Sequence, residues 1–256
     1  MDSLLLAVAV LMFLVSAAWL RSEVNRRSRD ARRRALQLAL AKGDRDAVSS
    51  LLSQGTDESA QRLARELLDQ DSLQGKLEGA QFFLKKRGEE NDQAIEALAE
   101  VLRVGNEAQR REALRLLKGP HLKSAPAVRT LLVVLEADPD PGLRIEAILL
   151  LCGAAESGRM HDPHLLREAV RSIARRLGDP SKEVRFVVRT AFSRGGPLVP
   201  FAPEVEVLLM ELLRSGSQDV VDAAASIIVE NRGVLRAAVS CVPASKANHS
   251  VVRSLW

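Results

Sequence analysis

The chain has 256 residues, of which 46% are hydrophobic and only 3% aromatic, with no tyrosine. This length and apolar content are normal for a folded protein and sufficient for a substantial core. The formal net charge is +4, but residues 1–34 carry seven arginines against three acids, which leaves 30 basic and 30 acidic residues in the rest. A neutral body disfavours a nucleic-acid-binding protein, which more often spreads positive charge along one face.

An apolar run at residues 4–20 is the first predicted element. It contains 17 residues without a charge and would span roughly 25 Å as a helix, close to the thickness of a bilayer core. An arginine cluster follows, which is typical of a cytoplasmic flank. The sequence therefore predicts a membrane anchor at 1–21, a basic juxtamembrane segment at 22–34, an external N-terminus and a cytoplasmic body. The residues expected at the membrane surface are Trp19, Arg21, Arg26, Arg27, Arg29, Arg32, Arg33 and Arg34.

Two other interpretations of this run remain open. The small residues Ser16, Ala17 and Ala18 could form a signal-peptidase site, which would give a periplasmic or secreted protein, but the region before the run holds Asp2 instead of basic residues. The run could also be a buried first helix of the body, although all-round apolarity would then need cover on every side. The charge order favours the anchor.

From residue 35 onward the pattern is helical. Apolar residues recur with helical spacing at 60, 63, 64, 67 and 68 and again at 94, 95, 98 and 102. Proline is expected at helix starts (126, 141, 163, 180 and 203), and a left-handed glycine is expected after helix ends (119, 178, 195, 216 and 233). Asp162 and Asp179 are expected as helix N-caps.

Several of the predicted helices repeat one another. The segments 107–117, 141–151, 182–192 and 218–228 align, with arginine at 110, 144 and 185 and valine at 221, at spacings of 34, 41 and 36 residues. A weaker copy at 74–84 lies 33 residues upstream, and small residues align at 80, 113, 147 and 224. A period of this length made of two helices predicts an α-solenoid.

The segments 135–147 and 177–188 each place an Asp-Pro pair before an apolar residue and an arginine, and they resemble the HEAT-repeat family of armadillo-like solenoids. The resemblance is good over 106–231 and weaker over 57–105, within a predicted solenoid at 35–256. It implies paired A and B helices in a right-handed superhelix, and a ladder in which Asp138 and Asp179 meet Arg144 and Arg185. The repeats near 104 and 215 lack the aspartate, which places the ends of the ladder in question.

The concave side of such a solenoid, lined by B helices, is the expected contact surface. The predicted partner-binding residues are Arg111, Arg115, Ile145, Leu149, Phe186, Thr190 and Asp222. Ile145, Leu149 and Phe186 would form an apolar patch there, or, alternatively, would lie in the core against the A helices. The C-terminal residues 251–256 are expected to cap the last hairpin.

No catalytic motif is present in the sequence. His161 and His164 could share a metal with Asp162, but Asp162 is already explained as an N-cap, so no metal site, cofactor or small-molecule substrate is predicted. The two cysteines, 152 and 241, form no disulfide framework, which favours a reducing compartment. The predicted function is a non-catalytic, membrane-anchored HEAT scaffold that binds a protein; the alternative, from the resemblance, is an enzyme accessory or lyase-related HEAT protein.

Overall fold

The computed structural model describes residues 2–42, 44–53, 57–86, 91–118, 120–193, 195–215 and 217–231. Within them, the side chains of residues 2–18, Arg29, Arg45, Asp57, Pro120, Glu204 and Ser215 are not described. The described secondary structure is helical and contains no strand, which confirms the predicted all-α class. The chain divides into two compact units, Met1–Phe82 and Phe83–Trp256. The predicted C-terminal cap at 251–256 lies outside the described residues.

Four helices make up the described residues of the first unit. They are α1 (Asp2–Lys42), α2 (Arg45–Ser53), α3 (Asp57–Leu68) and α4 (Leu73–Lys86), the last of which ends in the second unit. Helix α2 packs against both α1 and α3. The apolar face predicted for α3 is confirmed, because Ala60, Leu63, Ala64, Leu67 and Leu68 are all buried. The core of this unit therefore forms from helical faces of the expected spacing.

The predicted transmembrane helix is wrong. Over the part of the chain that the structure describes, no helix combines the length and apolar content needed to cross a membrane. The apolar run is not a separate helix, because α1 continues without a break through the arginine cluster to Lys42 and so carries many charged residues. The side chains of residues 4–18 lie outside the described set. The predicted localisation as a single-pass membrane protein depended on this helix and is therefore also wrong.

Several arginines of α1 have partners within the first unit. Arg33 forms an ion pair of 3.1 Å with Glu66 of α3, and Arg32 donates a hydrogen bond of 3.3 Å to Ser59. Glu23 pairs with arginines one helical turn ahead. Part of the cluster that was predicted for the membrane surface thus ties α1 to α3. The side chains of Arg21, Arg26, Arg27 and Arg34 are exposed, and that of Arg29 is not described.

The described part of the second unit holds four helical hairpins. We name α5, α7, α9 and α11 the A helices and α6, α8, α10 and α12 the B helices. Their bounds are α5 (Asn91–Val104), α6 (Glu107–Leu117), α7 (Ala125–Ala137), α8 (Pro141–Glu156), α9 (Pro163–Arg175), α10 (Lys182–Phe192), α11 (Glu206–Ser215) and α12 (Gln218–Glu230), with 3₁₀ segments at Pro120–Lys123, Arg176–Gly178 and Val199–Val205.

The hairpins stack on one another in two layers. Each A helix contacts the next A helix along the chain, and each B helix contacts the next B helix. The A and B helices also contact each other within three hairpins, whereas in the α9–α10 hairpin the 3₁₀ segment Arg176–Gly178 packs against both helices. Contacts between successive copies of a two-helix unit are the defining property of a helical repeat. The predicted repeat architecture is confirmed at this level.

The B helices begin at equivalent cap residues. Asn106, Asp140, Ser181 and Ser217 precede α6, α8, α10 and α12, and each cap lies four residues before the arginine or valine position identified in the repeat. The prediction that Asp162 caps α9 is confirmed, since its carboxylate accepts from the backbone N–H of His164 at 2.8 Å. The prediction for Asp179 is wrong.

Asp179 serves another purpose, because its carboxylate binds an arginine of the preceding repeat, and Ser181 caps α10 in its place. The same shift puts Pro180 before the cap, whereas Pro141 and Pro163 do open their helices. A positive φ occurs at Gly195 (85°), as expected, and also at Gly158 (63°), which was not expected. Gly178 does not have a positive φ. It is the last residue of its 3₁₀ segment and is followed by Asp179, whose backbone is extended. Gly119, Gly216 and Gly233 lie outside the described residues.

An arginine–aspartate ladder links the repeats. Arg110 contacts Asp138 at 2.9 Å, Arg144 contacts Asp179 at 2.8 Å, and Arg185 contacts Asp219 at 3.1 Å. In every rung the arginine belongs to one B helix and the aspartate to the following repeat. The ladder implied by the HEAT resemblance is therefore present, and its last aspartate lies inside the first turn of α12.

Each arginine of the ladder also holds the turn that precedes its own helix. Arg144 donates to the carbonyl oxygen of Asp138 at 2.7 Å, and Arg185 donates to that of Asp179 at 2.8 Å. Arg110 makes the same type of bond to Gly105 at 2.9 Å. One guanidinium thus fixes an interhelical turn and the next repeat together. Because guanidinium donors lie in one rigid plane, these contacts also fix relative orientation.

The three rungs differ in burial. In the central rung the side chains of Arg144 and Asp179 are 9% and 0% exposed, whereas Asp219 in the last rung is 74% exposed. Removing one partner of a buried pair leaves an uncompensated charge, while an exposed pair contributes little. The central rung therefore carries most of the dependence of stability on the ladder.

The register of α4 differs from the sequence alignment by one residue. Ser72 accepts a hydrogen bond from the backbone N–H of Gly75, which makes Ser72 the equivalent of the later cap residues. Gly79, not Ala80, then occupies the small position shared by Ala113 and Ala147. A Cβ atom on Gly79 would lie 2.9 Å from the carbonyl oxygen of Ala64. Helices α3 and α4 thus approach closely at this glycine.

Cys152 lies in the core on α8. Its side chain is nearly inaccessible, at 5% exposure. Burial, with a smaller contribution from the charge of Glu156, raises the pKa of the Cys152 thiol to about 12. A thiol with such a pKa is almost entirely protonated at neutral pH and is a poor nucleophile. Cys152 thus serves as a buried apolar residue of the core.

We expect Asp179→Ala to lower the free energy of unfolding by about 3–5 kcal/mol, because Arg144 is left buried without its counter-charge. The matched control, Asp219→Ala in the exposed rung, should lower it by about 0–1 kcal/mol. Urea denaturation followed by circular dichroism measures both. Equal losses in the two variants would show that burial does not rank the rungs.

Gly79→Ala should destabilise the protein by about 1–3 kcal/mol, because the new methyl group meets backbone atoms that cannot move aside. Gly75→Ala in the same helix is the control. Its Cβ would have no neighbour closer than 3.4 Å, so the helical preference of alanine should stabilise by about 0.5–1 kcal/mol. A neutral or stabilising Gly79→Ala would contradict the close helix approach.

In a Cys241→Ser variant, the remaining thiol should resist Ellman's reagent at pH 8 and react only after denaturation. With a pKa near 12, only about one thiol in ten thousand is ionised at that pH. The measurement is the absorbance change over time with and without guanidinium chloride. Reaction of the folded protein at the rate of a free thiol would refute the buried position.

Candidate protein-binding face

The exposed side of the four B helices forms a continuous surface, which we call the B face. Because each B helix starts at an equivalent cap, residues five and nine positions after the cap point to the same side. These positions are occupied by Arg111 and Arg115 on α6, Ile145 and Leu149 on α8, Phe186 and Thr190 on α10, and Asp222 and Ser226 on α12. The B face thus contains all seven residues that the sequence suggested for partner binding.

The structure places these residues at or near the surface. Arg111, Arg115, Leu149, Phe186 and Thr190 are exposed. Ile145 and Asp222 are half-buried. The alternative core position does not apply to Leu149 and Phe186, whose side chains remain 57% and 59% exposed. What these residues bind is a separate question from where they lie.

The middle of the B face is apolar and grooved. Leu149 and Phe186 lie on adjacent helices, and a groove of about 520 Å³ runs between α8, α10 and α12. Its apolar lining comes from Ile145, Phe186, Val187 and Ala223. Large apolar side chains left more than half exposed and next to a groove are typical of surfaces that contact another molecule.

The arginines at the α6 end of this face are neutralised locally. Arg111 pairs with Glu107 at 2.6 Å and with Asp140 at 3.2 Å. Arg115 pairs with Glu112 at 2.6 Å, and this hydrogen bond raises the pKa of Arg115. Both arginines are therefore paired with acidic residues of the same chain, and they offer less unpaired positive charge to a partner than the sequence suggested.

The α10 end carries different charges. The guanidinium carbon of Arg189 lies 5.5 Å from the centre of the Phe186 ring, which is cation–π distance. Arg185 belongs to the ladder through Asp219. Glu183 accepts a hydrogen bond from the Ser181 hydroxyl at 2.6 Å, which is the main reason that the pKa of Glu183 is lowered. The carboxylate is therefore ionised at neutral pH.

Sequence reasoning missed Lys182, Val187, Arg189 and Ala223 as members of the groove. The signal for Arg189 was present in the alignment. In the aligned B helices Arg189 stands at the position of Leu114 and Ile148, which are both buried. A cation at an alignment position that is otherwise apolar and buried indicates that this position is exposed to solvent in that repeat.

A second groove lies on the A helices. It has a volume of about 640 Å³ and lies between α5 and α7, where Val133 is 58% exposed and Arg103 and Arg129 line the wall. Val207 on α11 is also exposed, at 73%. The exposed positions Val133 and Val207 provide an internal comparison for experiments on the B face.

The histidine pair gathers no metal-ligand set. His161 and His164 are exposed, and Asp162 is occupied in capping α9. Among the residues that the structure describes, no three His, Cys, Asp or Glu side chains lie close enough to hold a metal ion. Carboxylates of the ladder are engaged by arginine and by backbone N–H groups. Their repetition at the period of the fold marks them as structural.

Comparison with known proteins adds little to this description. No protein-family model matches the chain, and no curated protein matches it. One similar solved structure is the designed armadillo repeat protein YIII(Dq.V1)4CPAF in complex with peptide (KR)4, at 19% identity over 87% of this chain and 95% of that chain, with a TM-score of 0.33. A TM-score this low carries no argument, so the helical-repeat description rests on the helix contacts above.

Proposed function

We propose that this protein is a HEAT-type helical-repeat scaffold that binds one protein partner on its B face without catalysing a reaction. The observation that carries the proposal is the exposure of two large apolar side chains, Leu149 and Phe186, on two B helices that contact each other. Exposing two large apolar side chains beside a groove is unfavourable in water unless a partner covers them for part of the time.

The arrangement of the face supports this role. Binding interfaces combine an apolar centre with a polar rim, and a few anchor residues contribute most of the binding energy. Here Leu149 and Phe186 form the centre, while Arg111, Arg115 and Asp222 lie towards the ends of the array. Because the B helices share one register, the partner meets a regular surface that spans several repeats.

Site-specific photo-crosslinking tests the proposal. Benzoylphenylalanine is placed at position 149 or 186 of the full chain, in cells of the source organism, and at Val133 or Val207 on the A helices as matched controls. We expect one discrete protein adduct from positions 149 and 186 and none from 133 and 207. Adducts of the same pattern from both faces, or none from the B face, would overturn the proposal.

A second variant separates binding from folding. With the photo-crosslinker at position 190, Phe186→Ala should reduce the adduct at least tenfold, because loss of an anchor residue typically costs about 2 kcal/mol or more of binding energy. Phe186 is largely exposed, so the circular dichroism spectrum and melting temperature should stay near those of the parent. Undiminished crosslinking would remove Phe186 from the binding site.

A further inference from the structure

The charges around the B-face groove are unequal. Lys182, Glu183, Arg185, Arg189 and Asp219 line it, so three cations face two carboxylates. Arg185 and Asp219 neutralise each other in the ladder. Glu183 neighbours Lys182 on the rim. The groove thus has a positive excess, whereas the arginines of α6 are balanced by their own acids.

The excess charge is centred on Arg189. Across the described residues, no carboxylate lies within ion-pair distance of Arg189 or Lys182. The guanidinium carbon of Arg189 lies 5.5 Å from the centre of the Phe186 ring, and a cation–π contact of this kind does not use up the five N–H donors of the guanidinium. Such donors suit a carboxylate, which accepts two of them side by side.

The floor of the groove restricts the partner in another way. Ile145, Phe186, Val187 and Ala223 present carbon surface, which a polar or fully charged ligand would not desolvate favourably. An apolar side chain from the partner would bury this surface and its own. Nucleic acid is disfavoured, because Phe186 is the one aromatic ring among the described residues that line the groove, and serial base stacking needs several.

We propose that the groove between α8, α10 and α12 binds a segment of the partner in which an apolar side chain is flanked by carboxylates, with the apolar side chain against Ile145 and Phe186 and the carboxylates at Arg189 and Lys182. This inference rests on the proposed function and specifies the chemistry of the partner. The negatively charged flanks also speed association, because opposite charge steers the encounter.

Selection from a displayed library of random 12-residue peptides tests the inference. The full chain is the target, and Phe186→Ala is the counter-target that removes peptides bound elsewhere. We expect the enriched peptides to carry Leu, Ile, Met or Phe with Asp or Glu on at least one side. Affinity of the best peptide is then measured by fluorescence anisotropy.

Charge is tested with matched double variants. K182Q with R189Q should weaken binding of the selected peptide about tenfold, which corresponds to about 1.4 kcal/mol. Raising the salt concentration should weaken it as well. R103Q with R129Q removes two cations from the A-helix groove and should leave affinity unchanged. The melting temperature of each variant is recorded alongside.

The outcomes separate the two proposals. Peptides that need Phe186 but lack acidic residues, and bind K182Q with R189Q normally, would overturn the acidic partner and leave the B face as a binding surface. If the library yields no peptide whose binding depends on Phe186, the peptide-groove inference is overturned. The crosslinking experiment then still tests the scaffold function independently. Enriched acidic peptides with the expected loss support both.

Discussion

The buried contact between Arg144 and Asp179 is the constraint on which the second unit depends. It joins one B helix to the turn that opens the next, at 2.8 Å and almost without solvent. Arg144 also holds the turn before its own helix. Because a buried charge without its partner is strongly unfavourable, this pair penalises sliding or rotation of one hairpin against the next. The outer rungs repeat the geometry with more solvent around them.

The ladder also has a consequence for the B face. Each B helix starts at a cap residue that lies four positions before the ladder arginine in the first three repeats. Fixing the arginine therefore fixes the rotation of the helix, and the same positions reach solvent in every repeat. The shared rotation of the B helices thus decides which positions lie on the B face. The residues at those positions give the face its apolar centre, Leu149 and Phe186, and the cation Arg189.

Much of this could be predicted from the sequence. Periodicity located the buried faces of α3 and α5, and the repeated Asp-Pro and arginine positions indicated stacked hairpins, because these are local patterns with fixed spacing. The partner of each arginine was harder to predict. Asp219 has no Asp-Pro motif and lies within a helix, so only the packed structure shows that it completes the last rung.

Other predictions failed for separate reasons. Asp179 has the composition of a helix cap, but a distant arginine takes its carboxylate and Ser181 caps the helix instead. The apolar run at the N-terminus suggested an independent membrane segment, since hydropathy does not reveal that the helix continues to Lys42. Arg189 was not predicted as a groove residue, because the equivalent residues of the other B helices, Leu114 and Ile148, are buried. Of these cases, the one at Asp179 needed a contact between elements that are far apart in sequence.

The central claim is that Arg144 and Asp179 stabilise the array through each other. A double-mutant cycle measures this directly, from the free energies of unfolding of the parent, R144A, D179A and the double variant. We expect the double variant to lose less stability than the two single variants combined, with a coupling energy of about 2–3 kcal/mol. Losses that add to within about 0.5 kcal/mol would contradict the claim, because independent residues behave in that way.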